Sequence, residues 1–270
     1  MIRIVNALKR FITSTYLVEV VCRLLYYTIF PLYRRLSADK GAIILLYHDI
    51  TRAGFDNTIN YLQTKGRFNI ITLGSLISRL EDGNNPPENF LAITFDDGLK
   101  SVYSEAFPVV LKRNIPITVY LISDSLTDKG RQDRRNGKEY LEVKEVRELA
   151  QSGLVEFGSH TRSHPCLARI PLEEARREIA ESKRQLETVL GTTVEHFAYP
   201  YGGLATFSPE HVEMLQQYGY RSAASNVHGV NGKDTSLYKL RRLGMRSSYS
   251  KYVLEVYISG LLHRMVGAYK

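Results

Sequence analysis

Two adjacent carboxylates are the first feature of the sequence that could carry chemistry. Asp96 and Asp97 follow the apolar run 91–95 and precede Gly98. Two neighbouring like charges repel each other, and burial removes their hydration, so the pair needs a positive group beside it. An isolated Asp-Asp-Gly run is more often a helix N-cap, in which a carboxylate accepts backbone N–H bonds. Here the pair ends a predicted strand, where parallel α/β folds carry their active sites, and this position favours chemistry.

Two histidines separated by three residues form a second candidate. His160 and His164 follow another short apolar run, in the stretch GSHTRSHP of residues 158–165. Imidazoles at this spacing can bind one cation, although paired surface histidines also occur without a metal. Pro165 disfavours helical backbone at His164, so the pair is expected on a loop between a strand and a helix. One Asp, two His and an open position make a ligand set typical of catalytic zinc.

An aromatic turn is the third candidate. Tyr199, Pro200 and Tyr201 end a further predicted strand and precede two glycines. Aromatic rings in this place could line a groove for a sugar, and backbone N–H groups could stabilise an oxyanion. Taken alone, such a run is more often an ordinary turn that contains proline.

The elements that must position these residues alternate along the chain from residue 41. Strands are predicted at 42–47, 91–95, 117–121, 155–159, 196–199, 220–224 and 238–243, and helices around 56–65, 73–81, 101–113, 142–151, 172–190 and 208–218. Connections long enough to hold a helix imply parallel strands. Seven such strands favour an incomplete α/β barrel over an open sheet.

Composition limits the class of protein and its partners. The chain has 270 residues, of which 44% are hydrophobic and 24% charged, so a globular domain with a real core is expected. The net charge of +8 favours anionic partners. The absence of tryptophan and of a nucleic-acid motif argues against nucleic acid. Basic residues interleaved with apolar ones near the N-terminus favour an anionic membrane surface instead.

The N-terminal segment predicts contact with a membrane surface. Residues 11–33 are long enough to span a bilayer, but Glu19 and Arg23 interrupt them. We therefore expect residues 1–40 to form an amphipathic helical segment that lies on the membrane, ahead of a catalytic domain of residues 41–270. A helical pair packed on that domain is an equally weighted alternative. Two cysteines and no cleavage pattern of a signal peptide favour a cytoplasmic, membrane-associated protein.

The three candidate runs together resemble the polysaccharide deacetylase family, also called NodB homology or carbohydrate esterase family 4. The family's first motif is similar to residues 94–98, its second to 160–164 and its third to 200–202, in the same order. The resemblance covers roughly residues 41–245. It implies a distorted (β/α)7-type barrel of the NodB kind.

The resemblance also implies roles for the residues. Asp97, His160 and His164 would hold a divalent metal ion, with Zn²⁺ expected, and Asp96 would be the general base that takes a proton from the attacking water. The backbone N–H of Tyr201 would stabilise the tetrahedral oxyanion.

Two departures from the family pattern require substitutes. Many members have an arginine in the third motif that orients the base, and residues 198–201 contain none. Arg241 or Arg242 could replace it, and Arg242 is our choice, with a surface arginine as the alternative.

The second departure concerns the general acid. The family's late Leu-x-His motif is matched only formally, by the run that ends at His263 in an apolar stretch. His48 is the better candidate, because it ends the first predicted strand and a subset of the family places its histidine there. A histidine can protonate a departing amine near neutral pH. A structural histidine is the alternative, and Asp49 could orient the ring or start a turn.

These residues favour a hydrolase that removes N-acetyl groups from an N-acetylated glycan or a lipid-linked saccharide in cell-envelope or exopolysaccharide synthesis. One alternative is a catalytically impaired barrel that binds glycans, supported by the altered third motif. Another is the same chemistry on a formyl or O-acetyl group. The intact Asp96, Asp97, His160 and His164 argue against a loss of catalysis.

Overall fold

The computed structural model describes residues 15–28, 41–64, 68–83, 86, 89–127 and 137–259. The chain divides into two compact units. The larger unit is Lys40–Ser247, and the smaller one combines Met1–Asp39 with Ser248–Lys270.

A parallel sheet forms the centre of the larger unit. Within the described residues its strands are β1 (Ile43–Tyr47), β2 (Asn69–Ile70), β3 (Phe90–Phe95), β4 (Ile117–Leu121), β5 (Val155–Ser159), β6 (His196–Ala198), β7 (Ser222–Ala224) and β8 (Leu243–Gly244). Their spatial order is β7-β6-β5-β4-β3-β1-β8, and β2 also pairs with β3. Every residue of β1, β3 and β4 is buried. Continuous apolar strands of this kind are typical of a parallel sheet that is covered on both faces.

One run of backbone joins the two ends of the sheet. The N–H of Leu240 donates to Ala223 O (3.0 Å), and the N–H of Ser225 donates back to Leu240 O (2.8 Å). The N–H of Arg242 donates to Val227 O (3.0 Å), and β8 then pairs with β1. The sheet therefore curls into a barrel, and the predicted NodB-type barrel is confirmed.

Helices connect successive strands. Those of the larger unit are α2 (Arg52–Thr64), α3 (Leu73–Glu81), α4 (Phe107–Arg113, after a π-helical turn at Val102–Ala106), α5 (Val143–Gln151), α6 (Leu172–Leu190) and α7 (Pro209–Gln217). Local sequence sets several of their ends. The Thr72 side chain caps α3 by accepting the Ser75 N–H, and α6 ends at Gly191, whose φ of 69° lies in the left-handed region.

The prediction of a last strand at 238–243 is wrong over most of that range. Residues Leu237–Lys239 form a 3₁₀ turn, and the strand is β8, which begins at Leu243. The Ser236 side chain accepts the Tyr238 N–H, and the Tyr238 hydroxyl donates to Tyr220 O (2.7 Å). These bonds favour a turn over an extended chain. The prediction also missed β2, because a two-residue strand is too short to show periodicity.

In the smaller unit, an N-terminal helix packs on a C-terminal one. Helix α1 (Thr15–Thr28) buries Cys22 and Leu25 against Val253 and Val256 of helix α8 (Lys251–Ile258). The sequence-based division had placed α8 with the catalytic domain, whereas the structure groups it with the N-terminal residues. None of the described helices has the length and apolarity needed to cross a bilayer.

Candidate metal and catalytic site

The carboxyl ends of the parallel strands bring the candidate residues to one end of the barrel. Asp96 follows β3 and His160 follows β5, and the backbone ladder continues past both strand ends. The Asp96 N–H donates to Tyr47 O, and the His160 N–H donates to Leu121 O, each at 2.9 Å. The positions of both side chains are therefore set by buried, hydrogen-bonded backbone.

Asp97, His160 and His164 converge in a geometry that suits one metal ion. Asp97 Oδ1 lies 3.7 Å from His160 Nε2 and 3.6 Å from His164 Nε2. One donor atom from each residue lies within 4.8 Å of the other two. Bonds of about 2.0–2.2 Å in a tetrahedral site place ligand atoms about 3.4 Å apart, so small shifts would complete the site. The residues present therefore fit a divalent cation.

The protonation of the two rings suits metal binding. His160 Nδ1 lies 2.8 Å from Ala198 O, so this nitrogen carries the proton and Nε2 keeps its lone pair. Burial, together with the neighbouring His160, lowers the pKa of His164 to about 4. The Nε2 lone pair of His160 and the neutral ring of His164 are therefore both available to a cation.

Left-handed backbone is concentrated at this site. In the described part of the chain, five residues other than glycine have a positive φ, and four of them lie in the three candidate runs: Asp97 (70°), Thr161 (65°), His164 (66°) and Tyr201 (64°). Such conformations cost free energy in residues with a Cβ and collect at functional sites. His164 lies in a loop, as Pro165 predicted, and its backbone is left-handed.

Arg242 supplies the positive group that the buried carboxylates require. Its Nη1 donates to Asp96 Oδ1 (2.7 Å) and its Nη2 donates to Asp96 Oδ2 (2.8 Å), and the exposed fractions are 1% for Arg242 and 0% for Asp96. Burial alone would raise the pKa of Asp96, but Arg242, His160 and His48 more than offset this and hold it below its usual value. Asp96 is therefore ionised at neutral pH.

Further contacts fix the guanidinium itself. Its Nε donates to Ser225 O (2.9 Å) and its Nη2 also donates to Asn226 Oδ1 (2.7 Å), while its carbon lies 5.6 Å from the centre of the Tyr120 ring. Arg241, the other candidate, is exposed. Of the two arginines, only Arg242 reaches the base.

His48 lies directly after β1, next to Asp96 in the sheet register. The strands pair Tyr47 with Phe95, and the neighbouring His48 contributes to the lowered pKa of Asp96. The His48 side chain is exposed, so a substrate can reach it. Asp49 starts a turn, since its Oδ1 accepts the N–H of Ile50 (3.0 Å). The formal alternative, His263, lies outside the described residues.

The third run contributes only one of its three predicted residues to an open surface. Tyr199 is fully buried, its N–H donates to Ala224 O, and its ring stacks on Phe207 with centroids 3.8 Å apart. Pro200 is buried and has no N–H. The prediction that Tyr199 and Pro200 bind substrate is therefore corrected. Tyr201 is 60% exposed, and its ring centre lies 5.1 Å from that of His164.

Sequence reasoning missed two polar residues at the site. Lys138 Nζ lies 3.5 Å from Asp97 Oδ2, whereas the two histidines contact Oδ1. Asn226 links the base to the third run, because its Oδ1 accepts from Arg242 and its Nδ2 donates to Tyr201 O (3.0 Å). Lys138 ends a charged stretch of sequence and had no distinguishing pattern. Asn226 follows β7 by two residues, and its place near a strand end was a usable signal.

Known proteins resemble this chain in sequence and fold. A family model described as polysaccharide deacetylase matches residues 83–223, so the chain belongs to the polysaccharide deacetylase family. A poly-beta-1,6-N-acetyl-D-glucosamine N-deacetylase of Staphylococcus epidermidis is 28% identical over 221 residues, which are 79% of this chain and 73% of that protein. The resemblance inferred from the three runs is thereby confirmed.

Solved structures share the fold. The deacetylase PplD of Streptococcus pyogenes, in complex with acetate, superposes with a TM-score of 0.70 at 19% identity, over 82% of this chain and 99% of that one. IcaB of Ammonifex degensii gives a TM-score of 0.70 at 24% identity, over 82% and 98%.

Proposed function

We propose that this protein is a metal-dependent hydrolase that removes N-acetyl groups from an N-acetylated sugar in a polysaccharide or glycolipid of the cell envelope or an exopolysaccharide. The observation that carries the proposal is an ionised, buried Asp96, held by Arg242 beside three side chains that fit one cation. Membership of the family and the named substrate of the staphylococcal relative support an N-acetylated glycan.

Zinc is the ion that we propose for the site formed by Asp97, His160 and His164. One carboxylate and two imidazoles are ligands that suit zinc in catalytic sites. A cation bound there would supply Lewis acidity, which would polarise the acetamide carbonyl and lower the pKa of water toward neutrality.

The chain's own residues then move the protons. Asp96 takes a proton from the attacking water while the water oxygen bonds to the carbonyl carbon. The backbone N–H of Tyr201 donates to the oxyanion that develops on the carbonyl oxygen. His48 gives a proton to the nitrogen as the C–N bond breaks, so acetate and a free amine leave. Arg242 keeps Asp96 ionised until the water attacks, and it holds the carboxyl group in place.

An apolar surface beside the site favours a sugar ring as the bound group. Tyr201 and Leu204 lie on the same turn and both are well exposed. Exposed apolar and aromatic side chains in a soluble domain often mark a binding surface. The pair supports stacking of the sugar next to the cleaved acetamide.

A substrate panel tests the proposed reaction. Protein loaded with Zn²⁺ or Co²⁺ is expected to release acetate from a β-1,6-linked N-acetylglucosamine oligosaccharide, measured by an enzymatic acetate assay. N-formyl and O-acetyl sugars serve as parallel substrates, and faster turnover of either would reassign the substrate. Binding of the oligosaccharide without release of any acyl group would support the catalytically impaired barrel instead.

We also propose that the smaller unit rests on an anionic membrane at its cytoplasmic side, where a lipid-linked saccharide could be reached. Helix α1 exposes Val21, Leu24 and Tyr27, and Arg23 lies over the ring of Tyr252 at 5.2 Å. Apolar side chains flanked by cations and tyrosines are typical of helices at lipid interfaces. This arrangement supports an interfacial helix.

A vesicle experiment tests the membrane proposal. Leu24→Glu is expected to reduce co-flotation with vesicles of anionic phosphatidylglycerol several-fold, because a charge would enter the acyl boundary. Leu111→Glu is the matched control, since Leu111 is an exposed leucine on α4 of the larger unit. Equal flotation of both variants and the unmodified protein would contradict the proposal.

A further inference from the structure

The loop that carries both histidines has an unfavourable backbone. Thr161 and His164 are both left-handed, with φ of 65° and 66°. A β-branched residue such as Thr161 rarely adopts this conformation, and each residue held in it costs the fold free energy. Contacts from elsewhere in the fold must therefore hold the loop in the geometry that directs His164 at Asp97.

Glu178 of helix α6 makes those contacts. Its Oε2 accepts the backbone N–H of Arg162 (2.9 Å) and the backbone N–H of Ser163 (2.8 Å), and its Oε1 accepts the Ser163 hydroxyl (2.8 Å). The side chain is buried, with 2% of its surface exposed. Two consecutive N–H groups that converge on one anion after a left-handed residue form a nest.

Neutral bonds close the rest of the loop around this carboxylate. The Thr161 side-chain oxygen accepts the N–H of His164 (3.0 Å). The carbonyl of Thr161 accepts the Ser123 N–H (3.2 Å), and the carbonyl of Arg162 accepts the Asp124 N–H (2.9 Å). The Arg162 Nε lies 3.5 Å from Glu178 Oε1, but this arginine is partly exposed and its attraction is screened.

Burial of a carboxylate costs desolvation free energy, so the hydrogen bonds that Glu178 accepts must offset this cost. Its charge-assisted bonds go to the two peptide groups that lie between the histidines. An apolar residue would fill the same space on α6 without the cost of burying a charge, but it would leave both N–H groups unpaired.

We propose that Glu178 is a positioning residue for the metal site: its carboxylate orders residues 161–164 so that the His164 ring faces Asp97 before any cation binds. Glu178 touches neither the cation nor the substrate. The effect on metal affinity rests on the proposed function, whereas the ordering of the loop does not.

Two variants and a matched control test the proposal in the full-length protein. Glu178→Leu removes all three accepted bonds, and Glu178→Gln keeps one carbonyl oxygen but loses the charge. Glu181→Leu is the control, because Glu181 lies one turn further along α6 and bonds the Arg162 guanidinium at 2.7 Å. Zn²⁺ affinity is measured by competition with a chromophoric chelator, and amide hydrogen exchange is followed at Arg162 and Ser163 without metal.

Glu178→Leu is expected to weaken Zn²⁺ binding by about 10- to 100-fold, the range typical of groups that orient metal ligands. Exchange at both amides is expected to become at least about tenfold faster. Glu178→Gln should fall between this variant and the unmodified protein, and Glu181→Leu should stay within about twofold in both readouts.

Unchanged affinity and unchanged exchange in a folded Glu178→Leu would overturn the proposal. If Glu178→Leu does not melt cooperatively, the test uses Glu178→Gln instead. The same Zn²⁺ affinity and amide exchange in Glu178→Gln as in Glu181→Leu would then overturn the proposal. Failure of the unmodified protein to bind Zn²⁺ would contradict the proposed function alone, because amide exchange still decides whether Glu178 orders the loop.

Discussion

Replacement of Asp96 by asparagine is expected to lower the rate of acetate release by about 10²- to 10⁴-fold, the usual contribution of a general base. The amide has nearly the shape of the carboxylate but cannot take a proton from water. Metal binding should survive, since Asp97, His160 and His164 are unchanged. The measurement combines an acetate assay with metal analysis of the same sample.

Asp49→Asn is the matched control for this variant. Asp49 is an exposed carboxylate next to His48, and its Oδ1 accepts a bond from Ile50 that an amide oxygen can also accept. It should retain nearly full activity. Near-normal turnover by Asp96→Asn with metal bound would show that another group is the base.

Replacement of Arg242 by methionine should strongly lower the free energy of unfolding and should also lower the activity. The change leaves the Asp96 carboxylate buried without its two charge-assisted bonds, and breaking a buried ion pair costs about 3–5 kcal/mol. The free energy of unfolding, measured in urea, should fall by that amount. Arg241→Met is the control, because Arg241 is exposed, and a surface change of this kind usually stays within about 0.5 kcal/mol.

The same variant should change the pH dependence of catalysis. In the unmodified protein the pKa of Asp96 is lowered, so its stabilising interaction is present above the pKa of an unfolded aspartate and is lost as pH falls through the lowered value. Without Arg242, burial dominates and raises this pKa, so the acidic limb of the activity profile should move to higher pH. If Arg242→Met kept the acidic limb of its activity profile at the same pH and kept its free energy of unfolding, the role of Arg242 would be contradicted.

The residues of the candidate metal site could be predicted because their positions depend on local sequence. Asp97 follows the buried strand β3 and His160 follows the short strand β5, and the ends of parallel strands meet at one end of a barrel. The order of the strands along the chain therefore predicts that the distant carboxylates and imidazoles meet at that end. The alternation of strands and helices predicted the barrel for the same reason.

Other parts of the site depend on packing between distant segments, which a sequence pattern does not show. Tyr199 was predicted to line a sugar-binding surface, but its ring is buried and stacks on the ring of Phe207. The choice between Arg241 and Arg242 depends on which of the two neighbouring side chains is buried in the barrel, and the structure buries Arg242. Glu178 shares the spacing of the buried residues Ala175 and Ile179 of helix α6, but the sequence does not show which N–H groups its carboxylate accepts.

The most direct test of the central claim is a titration of metal-stripped protein with Zn²⁺ while acetate release from the β-1,6-linked N-acetylglucosamine oligosaccharide is followed. If Asp97, His160 and His164 hold one catalytic ion, activity should start near zero, rise with each addition and level off at one ion per chain. Full acetate release by the metal-free protein, or none after one ion has bound, would contradict the account.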